Sequence, residues 1–175
     1  MKPRVASASR NIYKINNEKE LFEHKFAPED EIVLQEYLDS ELEYTVEVFC
    51  DKEGKVAGTI PMVRELGYGM SISGRIVENT EVTRVSELIG KVLKPEGALN
   101  VQLRMVNNKA IPFEINTRFS STECIRAYYG FNAVEAAIDN YLFGKPVDLN
   151  HWRTGMFMRY WHECYFDEKD MPTEF

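Results

Sequence analysis

The chain has 175 residues, 44% of them hydrophobic and 28% charged, the balance of a soluble globular domain long enough to bury a sizeable core. Its 28 acidic side chains outnumber the 21 basic ones, for a formal charge of -7, and no Lys/Arg cluster interrupts that field, so no nucleic-acid partner is expected. No run approaches the roughly 20 apolar residues of a membrane span, so no membrane partner is expected either. The cysteines, Cys50, Cys124 and Cys164, lack CxxC spacing, which predicts reduced thiols and a cytoplasmic setting.

In chain order, short strands are predicted around Val5 and over residues 12–15, flanking a small polar run at 6–11. Asn17 and Glu20 form a capping-box pattern that starts a short helix. An apolar run, Ile32-Val33-Leu34, leads into Gln35-Glu36-Tyr37-Leu38. From there Tyr44, Val46, Val48 and Cys50 alternate with Thr45, Glu47 and Phe49, which is the period of a strand. The tetrapeptide Asp51-Lys52-Glu53-Gly54 turns this strand into another over 55–63. Three glycines and two serines between Arg64 and Arg75 predict a flexible loop.

Val82, Val85, Leu88, Ile89 and Val92 then fall at helical spacing, with Thr80 as the cap and Pro95 and Gly97 as the stop. A second hairpin pairs 98–106 with 110–116 around Asn107-Asn108-Lys109. A second helix covers 132–143, capped by Asn132 with Glu135, with Val134, Ala137, Ile138, Tyr141 and Leu142 as its apolar face. Residues 156–160 read as a last strand and 167–175 as a frayed end. Hairpins with helices inserted between them describe an α+β domain with a largely antiparallel β-sheet.

The residues richest in chemistry lie on the second hairpin. Side chains two apart on a strand share a face, so Glu114 and Asn116 point together; a loop centred on Asn108 puts Gln102 opposite Glu114. Three oxygen-bearing side chains without sulfur or imidazole suit a hard cation, and so small a set suits magnesium, which keeps waters and phosphate oxygens as further ligands. Pattern alone favours the plainer alternative, the solvated face of a two-sided strand. Arg118, two residues further on, lies within reach of the same phosphates.

The run Asn100-Val101-Gln102, followed by Glu114-Ile115-Asn116-Thr117-Arg118-Phe119-Ser120-Ser121-Thr122 and then Tyr129-Gly130-Phe131-Asn132, resembles the C-terminal part of ATP-grasp proteins, in particular relatives of the carbamoyl-phosphate synthase large chain. The resemblance implies that Gln102, Glu114 and Asn116 hold Mg2+ bridging the phosphates of ATP and that Arg118 supports the transferred phosphoryl group. It also implies that Glu36 and the main chain near Leu38 address the adenine edge, while Glu43 accepts bonds from the ribose hydroxyls. By the same resemblance Lys2 contacts phosphate oxygens, with a flap over residues 6–11 in which Ala6, Ala8 and Asn11 replace the family's glycines, and Arg64 and Arg75 contact phosphate or carboxylate.

The resemblance divides the chain into a lid-subdomain remnant (1–30), a C-terminal ATP-grasp subdomain holding the nucleotide and magnesium site (31–150) and an extension (151–175). It also implies an incomplete ATP-grasp fold whose N-terminal lobe is absent. The expected activity is that of a ligase activating a carboxylate as an acyl phosphate for attack by an amine or other nucleophile, with ATP and Mg2+ as cofactors and small molecules as partners. The missing N-terminal half or another subunit is a further expected partner. The competing reading is a non-catalytic nucleotide-binding or interaction fragment.

Overall fold

The computed structural model describes residues 1–5, 11–24, 31–40, 42–67, 69–160, 162–165 and 167. Strands β1 (Lys2–Pro3) and β2 (Ile32–Val33) form a two-stranded antiparallel ribbon, and α1 (Glu18–Glu23) lies between them in sequence. The main sheet comprises β3 (Glu43–Cys50), β4 (Val56–Gly67), β5 (Met70–Ile76), β6 (Gly97–Val106), β7 (Lys109–Asn116) and β8 (Gly155–Met158). Its order is β7-β6-β3-β4-β5-β8, and every neighbouring pair is antiparallel. Helices α2 (Thr80–Leu93), α3 (Glu123–Tyr128) and α4 (Ala133–Ala137) complete the domain, with α4 running on into a π-helical turn at Ile138–Leu142. Strand pairing therefore crosses both boundaries expected at 30 and 150.

Strand β3 is buried on both faces. Tyr44, Val46, Val48 and Cys50 pack with Leu99, Val101 and Leu103 of β6 against Val82 of α2. The alternate residue Phe49 joins Ile60, Met62, Ile76 and Ala98 in a second core closed by Phe131, Ala133 and Ala136. Each such large apolar side chain contributes about 1.5–3 kcal/mol through burial. Alternation along β3 thus sorts side chains between two covers, and Thr45 and Glu47 are buried polar residues on the α3–α4 side.

Several local expectations are corrected. Val5 and residues 12–15 form no strand; the ladder falls on Lys2–Pro3, while Tyr13 exchanges two main-chain bonds with Met1 at 2.9 Å. The segment expected to be a loop between Arg64 and Arg75 is instead mostly the β4–β5 hairpin, because its main chain finds antiparallel ladder partners. Asn79, not Thr80, caps α2: its side chain accepts from the Val82 N–H, and Lys94 closes the helix at a φ of 45°.

Of the expected apolar face at 132–143, Ala137 and Tyr141 pack on the core, while Val134, Ile138 and Leu142 are exposed. The inward positions are Ala133, Ala136 and Asn140, since small side chains permit close approach and Asn140 is satisfied by the Lys52 N–H and the Lys145 carbonyl. Short α3, within the stretch read only as a motif, was not foreseen from periodicity. Residues 6–10 of the expected flap and 168–175 of the frayed end lie outside the described residues; Asn11, at a φ of 56°, adopts the left-handed conformation that asparagine tolerates.

Candidate functional site

The β6–β7 hairpin sets the site. Its turn is the dipeptide Asn107-Asn108, with φ values of 50° and 61°, the left-handed pair that a two-residue hairpin requires. Val106 pairs with Lys109, and the register runs regularly to Leu103 and Pro112. There it slips by one residue, so that Gln102 faces Glu114 and Asn100 faces Asn116. The expected Gln102–Glu114 pairing is therefore present, but it arises from a bulge at Phe113 and not from a loop centred on Asn108. The Phe113 carbonyl accepts from Gln35 Nε2 at 3.1 Å and from Lys2 Nζ at 3.4 Å.

Antiparallel register places Glu43 between Arg64 and Arg104, and Thr45 beside Gln102. A cavity of about 690 Å³ lies between these strand ends and the β1–α1 region, a size suited to a small-molecule ligand. Lys2, Glu36, Leu38, Glu43, Arg64, Gln102 and Glu114 all line it. Asn116 adjoins it through a 2.9 Å bond from Nδ2 to Glu114 Oε1.

Arg75 and Arg118 are not among the lining residues. Arg75 pairs with Val63, whose side chain packs into the α2 core, whereas Arg64 is one residue further and so points to the cavity side. Arg118 is exposed and donates from Nη1 to the Phe119 carbonyl at 3.0 Å.

One hydrogen-bonded chain runs the length of the cavity floor. Arg104 donates to the Leu38 carbonyl at 2.9 Å and to Glu43 Oε2 at 3.0 Å. Glu43 Oε1 accepts from Arg64 Nη2 at 2.6 Å and Nε at 3.1 Å, and Arg64 Nη2 also reaches Gln102 Oε1 at 3.0 Å. Gln102 Nε2 continues to Glu114 Oε1 at 3.4 Å. Two guanidinium groups thus compensate a carboxylate that is only 14% exposed.

Further along the same face of β3 is a buried cluster that no local pattern announced. Arg126 and Glu47 are both fully buried and joined at 2.6 Å, and Arg126 Nη2 also donates to the Thr45 carbonyl at 3.2 Å. Burial pushes the Arg126 guanidinium below its ordinary value. Glu123, on the same helix, has its carboxyl raised to about 8, first by burial and then by its bond with Glu47. Glu47 Oε1 and Glu123 Oε2 are otherwise buried without partners, so a proton held on Glu123 supplies the donor between them. With 79 residues separating Glu47 from Arg126, no local pattern announces this pair.

By residue type one carboxylate and two amides are a donor set of the kind magnesium takes. Gln102 Nε2 and Asn116 Nδ2 both face Glu114 Oε1, and Gln102 Oε1 faces Arg64, so the amides would have to turn to ligate a metal beside Glu114. Among the described residues no group of three or more His, Cys, Asp or Glu side chains is placed to hold a metal. A divalent ion here would rest on the Glu114 carboxylate and the amide oxygens of Gln102 and Asn116, leaving room for waters and phosphate oxygens, as the preference of magnesium for few protein ligands requires.

Residues 28–164 match the family described as "ATP-grasp in the biosynthetic pathway with Ter operon", and the chain belongs to this ATP-grasp family. It is 29% identical over 148 residues to the carbamoyl phosphate synthase large chain of Sulfurisphaera tokodaii, a match covering 77% of this chain and 14% of that protein. The large chain of Helicobacter pylori strain J99 is 28% identical over 122 residues, covering 64% of this chain and 11% of the other.

Among solved structures, N5-carboxyaminoimidazole synthetase from Staphylococcus aureus complexed with ADP matches with a TM-score of 0.58 at 14% identity, over 71% of this chain and 35% of that one. The phosphoribosylaminoimidazole carboxylase ATPase subunit from Aquifex aeolicus matches with a TM-score of 0.56 at 15% identity, over 67% and 37%. These likenesses establish an ATP-grasp fold over about a third of those chains. Among the described residues no helix is long and apolar enough to cross a membrane.

Proposed function

We propose that this chain provides the ATP- and magnesium-holding part of an ATP-grasp ligase, one that activates a carboxylate as an acyl phosphate for attack by an amine or other nucleophile. The observation that carries this reading is the convergence of Gln102, Glu114 and Asn116 at one end of a cavity whose other end holds Leu38 and Glu43. Such a layout suits a nucleotide lying along the cavity, with its base near Leu38, its ribose near Glu43 and its phosphates near Glu114. Family membership and the ADP-bound S. aureus relative support the choice of nucleotide.

In this reading Glu36 and the Leu38 main chain address the base, and Lys2 and Arg64 supply positive charge to phosphate oxygens. Magnesium, when bound by Gln102, Glu114 and Asn116, would offset the charge of the triphosphate during phosphoryl transfer. Arg118, which is exposed two residues after Asn116, is the candidate to meet the transferred phosphoryl group. The chain's contribution is positioning and electrostatic stabilisation, with no protein nucleophile. The spacing of Cys50, Cys124 and Cys164, which lacks any CxxC pair, favours reduced thiols and a cytoplasmic setting.

Calorimetric titration with a non-hydrolysable ATP analogue tests the binding claim. Binding is expected to require magnesium and to weaken about tenfold or more in Glu114→Ala, the loss of a charge-bearing ligand. A folded chain that binds no nucleotide refutes it. ADP release across paired carboxylates and amines, measured with the N-terminal region of a full-length relative supplied, separates a ligase from a binding fragment; silence over a broad panel favours the fragment.

A further inference from the structure

Arg104 touches both halves of the nucleoside subsite. Its Nη1 donates to the Leu38 carbonyl at 2.9 Å and its Nη2 to Glu43 Oε2 at 3.0 Å, and its guanidinium carbon lies 5.7 Å from the centre of the Phe113 ring. Leu38 belongs to the connection between β2 and β3, where residues 34–40 form neither strand nor helix. Leu34, Gln35, Glu36, Tyr37 and Asp39 are exposed, while Leu38 is buried. A main chain without a ladder needs other partners to hold one conformation. Here a buried apolar side chain and a carbonyl bonded to Arg104 hold it.

The second contact constrains the other half of the subsite. Arg64 takes Glu43 Oε1 and Arg104 takes Oε2, so the two arginines fix the carboxylate's orientation before any ligand arrives. Oε1 already accepts two bonds from Arg64, so it is Oε2, with one bond from Arg104, that retains acceptor capacity for a hydroxyl donor. A planar fork reaches the carbonyl and the carboxylate from two separate nitrogens, whereas a lysine ammonium must offer its donors to both from a single nitrogen.

We propose that Arg104 is a positioning residue for the nucleoside half of the ligand, holding the Leu38 main chain, beside the base, at a fixed distance from Glu43, beside the ribose. This rests on the nucleotide reading of the cavity. Its contribution is preorganisation: without it the connection must be ordered when the ligand binds, and affinity falls for every ligand carrying the nucleoside.

The test is displacement of a fluorescent ATP analogue from the full chain by ATP, by adenosine and by inorganic triphosphate, each with magnesium. Arg104→Met is expected to weaken ATP and adenosine by the same factor, roughly ten- to a hundredfold, while leaving triphosphate unchanged. Arg104→Lys, which keeps the charge, is expected to recover only part of the loss and carries the test should the methionine variant not fold. A general structural defect would weaken all three ligands together. Unchanged adenosine affinity, or a loss shared by or confined to triphosphate, overturns the assignment of Arg104 alone. A wild-type chain that binds neither ATP nor adenosine overturns the nucleotide reading, and the role of Arg104 with it.

Discussion

Arg64 donates to Gln102 Oε1 at 3.0 Å, and that amide oxygen is the atom through which Gln102 would ligate a metal. A guanidinium has donors only, so the bond commits the oxygen face of the amide to Arg64. A metal at Gln102 would therefore share that oxygen with Arg64, and the two like charges would repel. Arg64→Met is expected to raise the affinity for Mn2+ without nucleotide, read by electron paramagnetic resonance titration, while weakening ATP binding. Unchanged Mn2+ affinity would show that the Arg64–Gln102 bond exerts no hold on the site.

The Glu47–Arg126 pair joins two strictly buried charges, so removing one partner strands the other. Arg126→Met is expected to destabilise the fold by about 3–5 kcal/mol in urea denaturation. Combining it with Glu47→Gln should restore much of that stability, because the double replacement leaves no unpaired charge. A double variant as unstable as the single one would mean that packing, not charge, dominates at this position.

The stability of the fold should fall as pH rises through the range in which Glu123 titrates. Its carboxyl is raised from 4.5 to about 8 in the folded chain, so between those values the native state holds a proton that the unfolded state has lost. The favourable contribution is complete below 4.5 and disappears as pH climbs through about 8. Glu123→Gln keeps a donor toward Glu47 without titrating, and should flatten the dependence of melting temperature on pH across that window. An equal slope in the variant would place the titration elsewhere.

Asn79 caps α2 through the Val82 N–H at 3.1 Å and donates to the Tyr44 hydroxyl at 3.2 Å, tying the helix start to β3. Asn79→Ala is expected to lower stability by about 1 kcal/mol, measured by chemical denaturation. Thr80→Ala, at the residue that spacing alone favoured, should have a smaller effect.

Most strands and the long helix were legible because their signals are local. Alternation at 44–50 and the 3.6-residue spacing from Val82 to Val92 depend only on neighbouring residues. The helix face at 132–143 was misread because Asn140 is held inward by main-chain partners at Lys52 and Lys145, and Lys52 is remote in sequence. The Arg64–Arg75 segment read as a loop for a related reason: glycine-rich composition signals flexibility, but ladder bonds to a neighbouring strand override it.

By itself the sequence determined the α+β character and the ordered Gln102, Glu114 and Asn116 motif, since both are written in residue type and spacing. Tertiary structure alone decided which of the candidate cations face the cavity, the bulge at Phe113 that aligns Glu114 with Gln102, and the burial of Glu47 with Arg126 and Glu123. Strand parity, register and burial are properties of pairs of segments far apart in the chain, and no local pattern specifies them.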